Sequence, residues 1–232
     1  MTPVLLFVLF LSLSAIPPVS ATDNGERQEF LDASDIIERA NANITTRLVD
    51  GDIVAHLRRN ADPCTATGCK WPKYRRYVYV PMYISTSYTT TERNIIIRAL
   101  LTFHASTCIR FVWRTSHRNY LYFYSGSGDT VQHEVLHALG FHHEHVCSDR
   151  DSYVSILYQN IKPGQTQNFI KRQTNNLGIP YDFDSVMHYG KHAFSKNREP
   201  TILAKSNPSL NFGTARTMSK NDIARVNKLY QC

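Results

Sequence analysis

Five of the chain's ten histidines fall between His133 and His145, and three of them stand in the register of a metal site. In His133-Glu134-Val135-Leu136-His137 the two imidazoles lie one helical turn apart on a single face, so both can reach one ion. Glu134, beside the first, is placed to take a proton from a water that the ion activates. A third ligand on a continuing helix would point away. Gly140 tolerates positive φ, so it can end the helix and turn the chain, and His143 then comes back toward the ion. Three neutral nitrogens with a fourth position open describe a catalytic zinc site holding one Zn2+ per chain. His142 and His145 fall outside this register and read as solvated or packing side chains.

That geometry needs a helix through His133 and His137, a turn at Gly140, and a scaffold that holds both. Tyr77 to Ile84, Ile109 to Trp113 and Tyr120 to Tyr124 are rich in aromatic and β-branched residues and read as strands. Between the first two, Thr91 to Ala105 carries Ile96, Leu100 and Phe103 at helical spacing, which predicts a helix crossing from one strand to the next. From Ser148 to Ser219 the chain is rich in Asn, Pro, Gly and Tyr with little periodicity, the pattern of irregular packed loops. Ser219-Lys220-Asn221-Asp222 then opens a last helix with capping-box spacing, turning Ile223, Val226 and Leu229 inward.

With 232 residues, 42% hydrophobic and 11% aromatic, the chain can bury one ordinary core, which excludes a fibre or a disordered tail. The apolar run Val4 to Leu13 is too short to span a bilayer and is followed by Pro17, Pro18 and Val19-Ser20-Ala21. It reads as a secretory signal, residues 1–21, whose removal leaves no membrane anchor. Residues 22–59 hold eight acidic and five basic side chains and end in Arg58-Arg59, whereas the rest of a chain of net charge +7 carries +10. This reads as a propeptide, residues 22–59, that an activating protease removes by cutting near Arg59, leaving residues 60–232 as one domain. Asn43-Ile44-Thr45 is a glycosylation sequon within the propeptide. Export to an oxidising compartment predicts disulfides, and five cysteines leave one thiol over. Export, the cysteines and the lack of a basic motif interleaved with stacking aromatics exclude nucleic acid as a partner.

Several stretches together resemble the astacin family of secreted zinc endopeptidases, within it the fish hatching-enzyme and nephrosin-like subgroup. They are His133 to Glu144, Ser148-Asp149-Arg150-Asp151, Ser185-Val186-Met187-His188-Tyr189, and Asn60-Ala61-Asp62-Pro63-Cys64 with Gly68-Cys69-Lys70-Trp71-Pro72. The resemblance covers nearly all of residues 43–232. It implies an α+β, metzincin-type, two-lobed peptidase: an N-terminal twisted sheet with two long helices, then an irregular C-terminal lobe ending in a helix. Met187 would lie in the methionine-containing turn that floors the zinc. By the same resemblance Tyr189 is an extra zinc ligand that swings to stabilise the transition state, and Glu144 meets the new N-terminus after activation. Gly51-Asp52 matches the propeptide switch, with Asp52 occupying the open zinc position in the zymogen. Cys108 pairs with Cys232, Cys64 with Cys69, and Cys147 remains free. The implied activity is that of a monomeric zinc endopeptidase acting on protein or peptide substrates of egg-coat or matrix type, with an acidic residue preferred just after the cut.

The chain departs from the family at one place. Relatives carry two further cysteines, a glycine-rich turn and a substrate-pairing edge strand before the zinc helix. Here Gly126-Ser127-Gly128-Asp129 leads directly into Thr130-Val131-Gln132-His133. Bonded cysteines hold their Cα atoms about 5 to 6 Å apart, so excision between them closes without tearing the fold. The loss falls on the sheet edge that pairs with an extended substrate, and Tyr120 to Tyr124 becomes either a substitute edge or an exposed sticky one. A second reading follows from this: a secreted zinc-binding protein whose catalysis is impaired because that edge is missing.

Overall fold

The computed structural model of the chain describes residues 6–11, 48–49, 53–54, 70–125 and 131–232. Asn43, Asp52, Arg59, Cys64 and Cys69, and with them most of the expected leader and propeptide, lie outside the described residues. In chain order the strands are β1 (Leu6–Leu11), β2 (Leu48–Val49), β3 (Ile53–Val54), β4 (Lys73–Tyr74), β5 (Tyr77–Ile84), β6 (Ile109–Trp113), β7 (Tyr120–Ser125), β8 (Val154–Ile156) and β9 (Ile202–Ala204). The helices are α1 (Thr90–Ser106), α2 (Val131–Ala138) and α3 (Lys220–Tyr230).

The first lobe is built on β5, which pairs in parallel with β6 through Val78↔Ile109 to Met82↔Trp113 and with β7 through Met82↔Leu121 to Ile84↔Phe123. Parallel neighbours need a crossover, and α1 supplies it between β5 and β6. Its start is fixed by Thr89, whose hydroxyl accepts from the Glu92 amide while the Glu92 side chain accepts from the Thr89 amide. Ile96, Leu100 and Phe103, spaced at i, i+4 and i+7, are its buried face. They pack on Val78, Val80, Phe111, Leu121 and Phe123 from the sheet. Burying each such side chain contributes about 1.5–3 kcal/mol.

The second helix, α2, has eight described residues and is ended by Gly140; residues 126–130 before it lie outside the described ones. One feature differs from expectation. The far edge of β7 is taken by β1, parallel from Leu6↔Tyr120 to Leu11↔Ser125. β1 falls in the segment read as the export signal, so this pairing belongs to the chain with its leader attached.

The second lobe is irregular, as expected, but not without order. Short 3-10 turns punctuate it between Glu144 and Phe169, and the antiparallel pair β8–β9 crosses it. Its own core gathers Val154, Phe169, Tyr189, Phe194, Ile202 and Phe212. α3 returns to the first lobe, placing Val226 and Tyr230 in that lobe's core. Its buried face is Asp222, Arg225, Val226 and Tyr230. Ile223, expected inward, is only half-buried, because the polar residues of that face are wanted inside. Among the described residues no helix is long and apolar enough to cross a membrane.

Candidate metal centre

All eight residues of α2 are buried, so its polar side chains face interior partners in place of water. Gln132 ties the helix to α1 through Thr102 Oγ1 at 2.8 Å and accepts from the Met218 amide at 2.7 Å. Trp71 Nε1 donates to the Ala138 carbonyl at 3.0 Å. The helix stops in a Schellman motif: Gly140, at φ 102°, donates to His137 O, and Phe141 donates to Leu136 O.

That stop fixes the histidines. His137 Nδ1 lies 2.8 Å from the Phe141 carbonyl just past the turn, and His133 Nδ1 lies 2.8 Å from the Val186 carbonyl. A carbonyl oxygen only accepts, so each Nδ1 donates and each Nε2 keeps its lone pair. His133 Nε2 is 3.1 Å from Nε2 of both His137 and His143, and the three ligand atoms lie within 4.8 Å of one another. Lone pairs facing each other at this distance repel, and a cation between them turns the repulsion into coordination. Tetrahedral zinc with bonds of about 2.0–2.1 Å spaces its nitrogens by about 3.3 Å, so the donor set fits that ion in type, and the two spacings from His133 fit it in size.

Of the other predicted site residues, Glu134, Glu144, Met187 and Tyr189 lie beside these histidines, and Asp52 lies outside the described residues. Glu134 follows His133 on the buried helix, 6% exposed. The Glu144 amide donates to the Met187 carbonyl at 2.9 Å, joining the segment of His143 to the turn of Met187. Met187 and Val186 belong to the same core as Val135 and Leu136 of α2. The Tyr189 ring, buried, lies 4.4 Å from the ring of His143 and stacks 4.0 Å from His145. His145 is itself buried, with Nε2 3.0 Å from the Asn168 carbonyl, and is a packing histidine as expected. His142, half-buried, lines a cavity that Glu144, Cys147 and Arg225 share.

Glu144 is held from both sides. Arg225 donates to both of its oxygens at 2.7 and 2.6 Å, and the Asp182 amide donates at 2.8 Å. Burial pushes its carboxyl up to about 7 even against the pull of Arg225. Cys147 is free, and burial pushes its thiol up to about 12, out of the reactive range. Cys108 and Cys232 are bonded.

Four residues of this region escape sequence reasoning. Arg225 reads as an ordinary helical cation until the fold brings it to Glu144. Asp222 is visible as a helix cap, but its carboxylate also accepts from Ser185 Oγ at 2.6 Å and the Val186 amide at 3.0 Å, holding the turn that supports His133. His188 accepts from Tyr181 OH at 2.7 Å and donates from Nδ1 to the Tyr189 carbonyl, and burial lowers its pKa to about 4, so the ring is neutral. Gly213, at φ 76°, lies so close to the Tyr189–Gly190 peptide that a Cβ would fall 2.3 Å from the Gly190 nitrogen. A lone glycine gives no sequence signal of that kind.

The chain matches the model of the peptidase family Astacin over residues 66–130 and 127–231. The two pieces of the match meet at residues 127–130, within the segment expected to depart from the family. The low choriolytic enzyme of Oryzias latipes is 40% identical over 261 aligned residues, covering 98% of this chain and 96% of that protein. That alignment is longer than the 232 residues here, so it opens gaps opposite residues the relative possesses. High choriolytic enzyme 1 of the same fish is 38% identical over 88% of this chain and 85% of its own length. A solved structure of that hatching-enzyme zinc-protease superposes with a TM-score of 0.68 at 39% identity, covering 75% of this chain and 100% of that chain.

Proposed function

The chain belongs to the astacin family of zinc metalloendopeptidases, and from that membership we propose that it is exported as a zymogen and, once cut near Arg59, hydrolyses extracellular proteins. The observation that carries this reading is the convergence of His133, His137 and His143 on one point beside Glu134. The organisation proposed is a signal at residues 1–21, a propeptide at 22–59 and a peptidase domain at 60–232, in keeping with a match running nearly end to end with a relative. Asp52 is assigned to latency. The relatives are named choriolytic and hatching enzymes, so the substrate class assigned is a structural protein of egg-coat or matrix type.

His133, His137 and His143 would hold zinc, which when bound would supply Lewis-acid activation of a water and of the scissile carbonyl. Glu134 accepts the water's proton on its carboxylate and returns it to the leaving amine. The Tyr189 phenol donates to the developing oxyanion. The carbonyls of Val186 and Phe141 keep His133 and His137 in the tautomer that presents Nε2 inward. Glu144, with Arg225 beside it, is the partner for the ammonium that cleavage after Arg59 creates.

The test is zinc content and peptide-library cleavage by the chain cut after Arg59, with Glu134→Gln alongside. One zinc per chain is expected, with cleavage that a chelator stops and that Glu134→Gln lowers by about 10²–10⁴. A second reading, zinc binding with impaired cleavage, is favoured by one observation: beyond β7 the described structure offers β1 and no antiparallel edge strand. One zinc per chain with no cleavage selects it.

A further inference from the structure

Residues 70–125 hold nine lysines and arginines and one carboxylate, Glu92, so this part of the first lobe carries +8 of the net +10 of residues 60–232. Glu92 is occupied in the cap of α1. Eight of the chain's 13 tyrosines fall in the same stretch. The sheet sorts these residues by face. Val78, Val80, Phe111 and Phe123 go under α1 and α2, so the alternate positions point to the opposite side, away from the histidines of α2.

On that outer side the strands bring together what the sequence keeps apart. Tyr79 lies opposite Arg110 and Tyr83 opposite Tyr122. The Arg76 and Arg110 guanidinium carbons stand 5.2 and 4.3 Å from the Tyr77 ring centre. Tyr77 meets Tyr79 edge-on at 6.2 Å, and Tyr83 lies 5.5 Å from Tyr122. Tyr79 and Tyr83 are each 40% exposed. No single stretch of the sequence interleaves basic residues with stacking aromatics in this way. Tyr74-Arg75-Arg76-Tyr77 holds only a fragment of the pattern, because Arg110 and Tyr122 join it across the sheet.

We infer that this tyrosine–arginine face is an exosite that captures acidic stretches of a polypeptide substrate, on the side of the sheet opposite the metal centre. Arg110 is fixed beside the ring by Nη1, which donates to the Thr107 and Ile109 carbonyls at 2.8 Å each, and Arg76 is exposed, so the two guanidinium groups are pre-oriented and turn their remaining N–H groups to carboxylates. Exposed phenols add donors to the same anions. The concentrated positive charge steers such a segment toward the face. The inference rests on the peptidase reading for its choice of polypeptide over other polyanions. An acidic tract placed away from the scissile bond then lowers KM and leaves turnover of short peptides unchanged.

The experiment measures anisotropy of a fluorescein-labelled polyglutamate peptide with the zinc-loaded full chain at low salt, for wild type, Arg76→Glu/Arg110→Glu, and Lys196→Glu/Lys220→Glu, which changes net charge equally outside this face. Binding by wild type is expected, weakened about tenfold or more by the first pair and little by the second. Arg76→Gln, an exposed single change, repeats the comparison with a smaller loss should the double variant misfold. No binding, or equal loss in both pairs, overturns the inference, as does tighter binding of single-stranded DNA or heparin than of polyglutamate. Hydrolysis of a short neutral peptide by the same protein cut after Arg59, followed in parallel, tests the peptidase reading separately, since its failure leaves the binding isotherm untouched.

Discussion

Glu144 keeps 3% of its side chain exposed, with both oxygens on Arg225. Removing the guanidinium leaves a buried carboxylate with only the Asp182 amide to answer it. Arg225→Leu is therefore expected to lower unfolding free energy by about 3–5 kcal/mol, read from urea midpoints. Arg225→Leu/Glu144→Leu should recover part of the loss, with a coupling of about 1 kcal/mol or more. The contrast with the histidines explains what was legible in the sequence. His133, Glu134 and His137 act through spacings of one helical turn, and Gly140 announces its turn by type. Arg225 acts on a partner 81 positions away, and a helix register carries no mark of that.

Among the elements, α3 has the most to do for its length. Ser219 and Asp222 cap it reciprocally, and the Asp222 carboxylate reaches on to Ser185 and Val186. The two cap residues should therefore differ in effect. Ser219→Ala is expected to cost about 1 kcal/mol of stability. Asp222→Ala also strands a buried hydroxyl and a buried amide and should cost about 3 kcal/mol. Only Asp222→Ala should weaken zinc binding, by about 10–100-fold in competition with a chromophoric chelator, because the Val186 carbonyl orients His133. The helix α1 is tied to β6 through His104, whose Nε2 accepts from the Phe111 amide at 2.8 Å. Burial, with Arg110 assisting, lowers its pKa below the usual 6.5. The unfolded chain thus takes up this proton first. The contribution is complete above about pH 6.5 and is lost as pH falls through the folded value. The urea midpoint of wild type should fall relative to that of His104→Gln between about pH 7.5 and about pH 5.5. α1 itself was legible to within a residue at each end, since its buried face repeats at helical spacing after a polar start. β8 and β9, three residues each, were not, because strands that short show no alternation and exist through their pairing.

The two lobes close on each other at the metal centre. Val186 and Met187 lie in the sequence of the second lobe but pack in the core of the first, whereas Tyr189, two residues on, packs in the second. The methionine turn is thus the seam, and α3 clamps it from outside. Tyr230 OH donates to the Leu139 carbonyl, Asn227 Nδ2 to the Ser106 carbonyl, and Cys232 bonds Cys108 just before β6. That bond closes a loop with a sequence separation of 124. Loop-closure entropy for such a span gives about 4–5 kcal/mol. Cys108→Ser/Cys232→Ser should lose about that much in urea unfolding while still binding one zinc at room temperature, because the bonds of Asp222 to the turn remain. Loss of zinc in the folded double variant would place the seam under control of the disulfide. An unchanged midpoint would mean that the unfolded chain without the bond already keeps these two positions close, so that the bond removes little entropy from it.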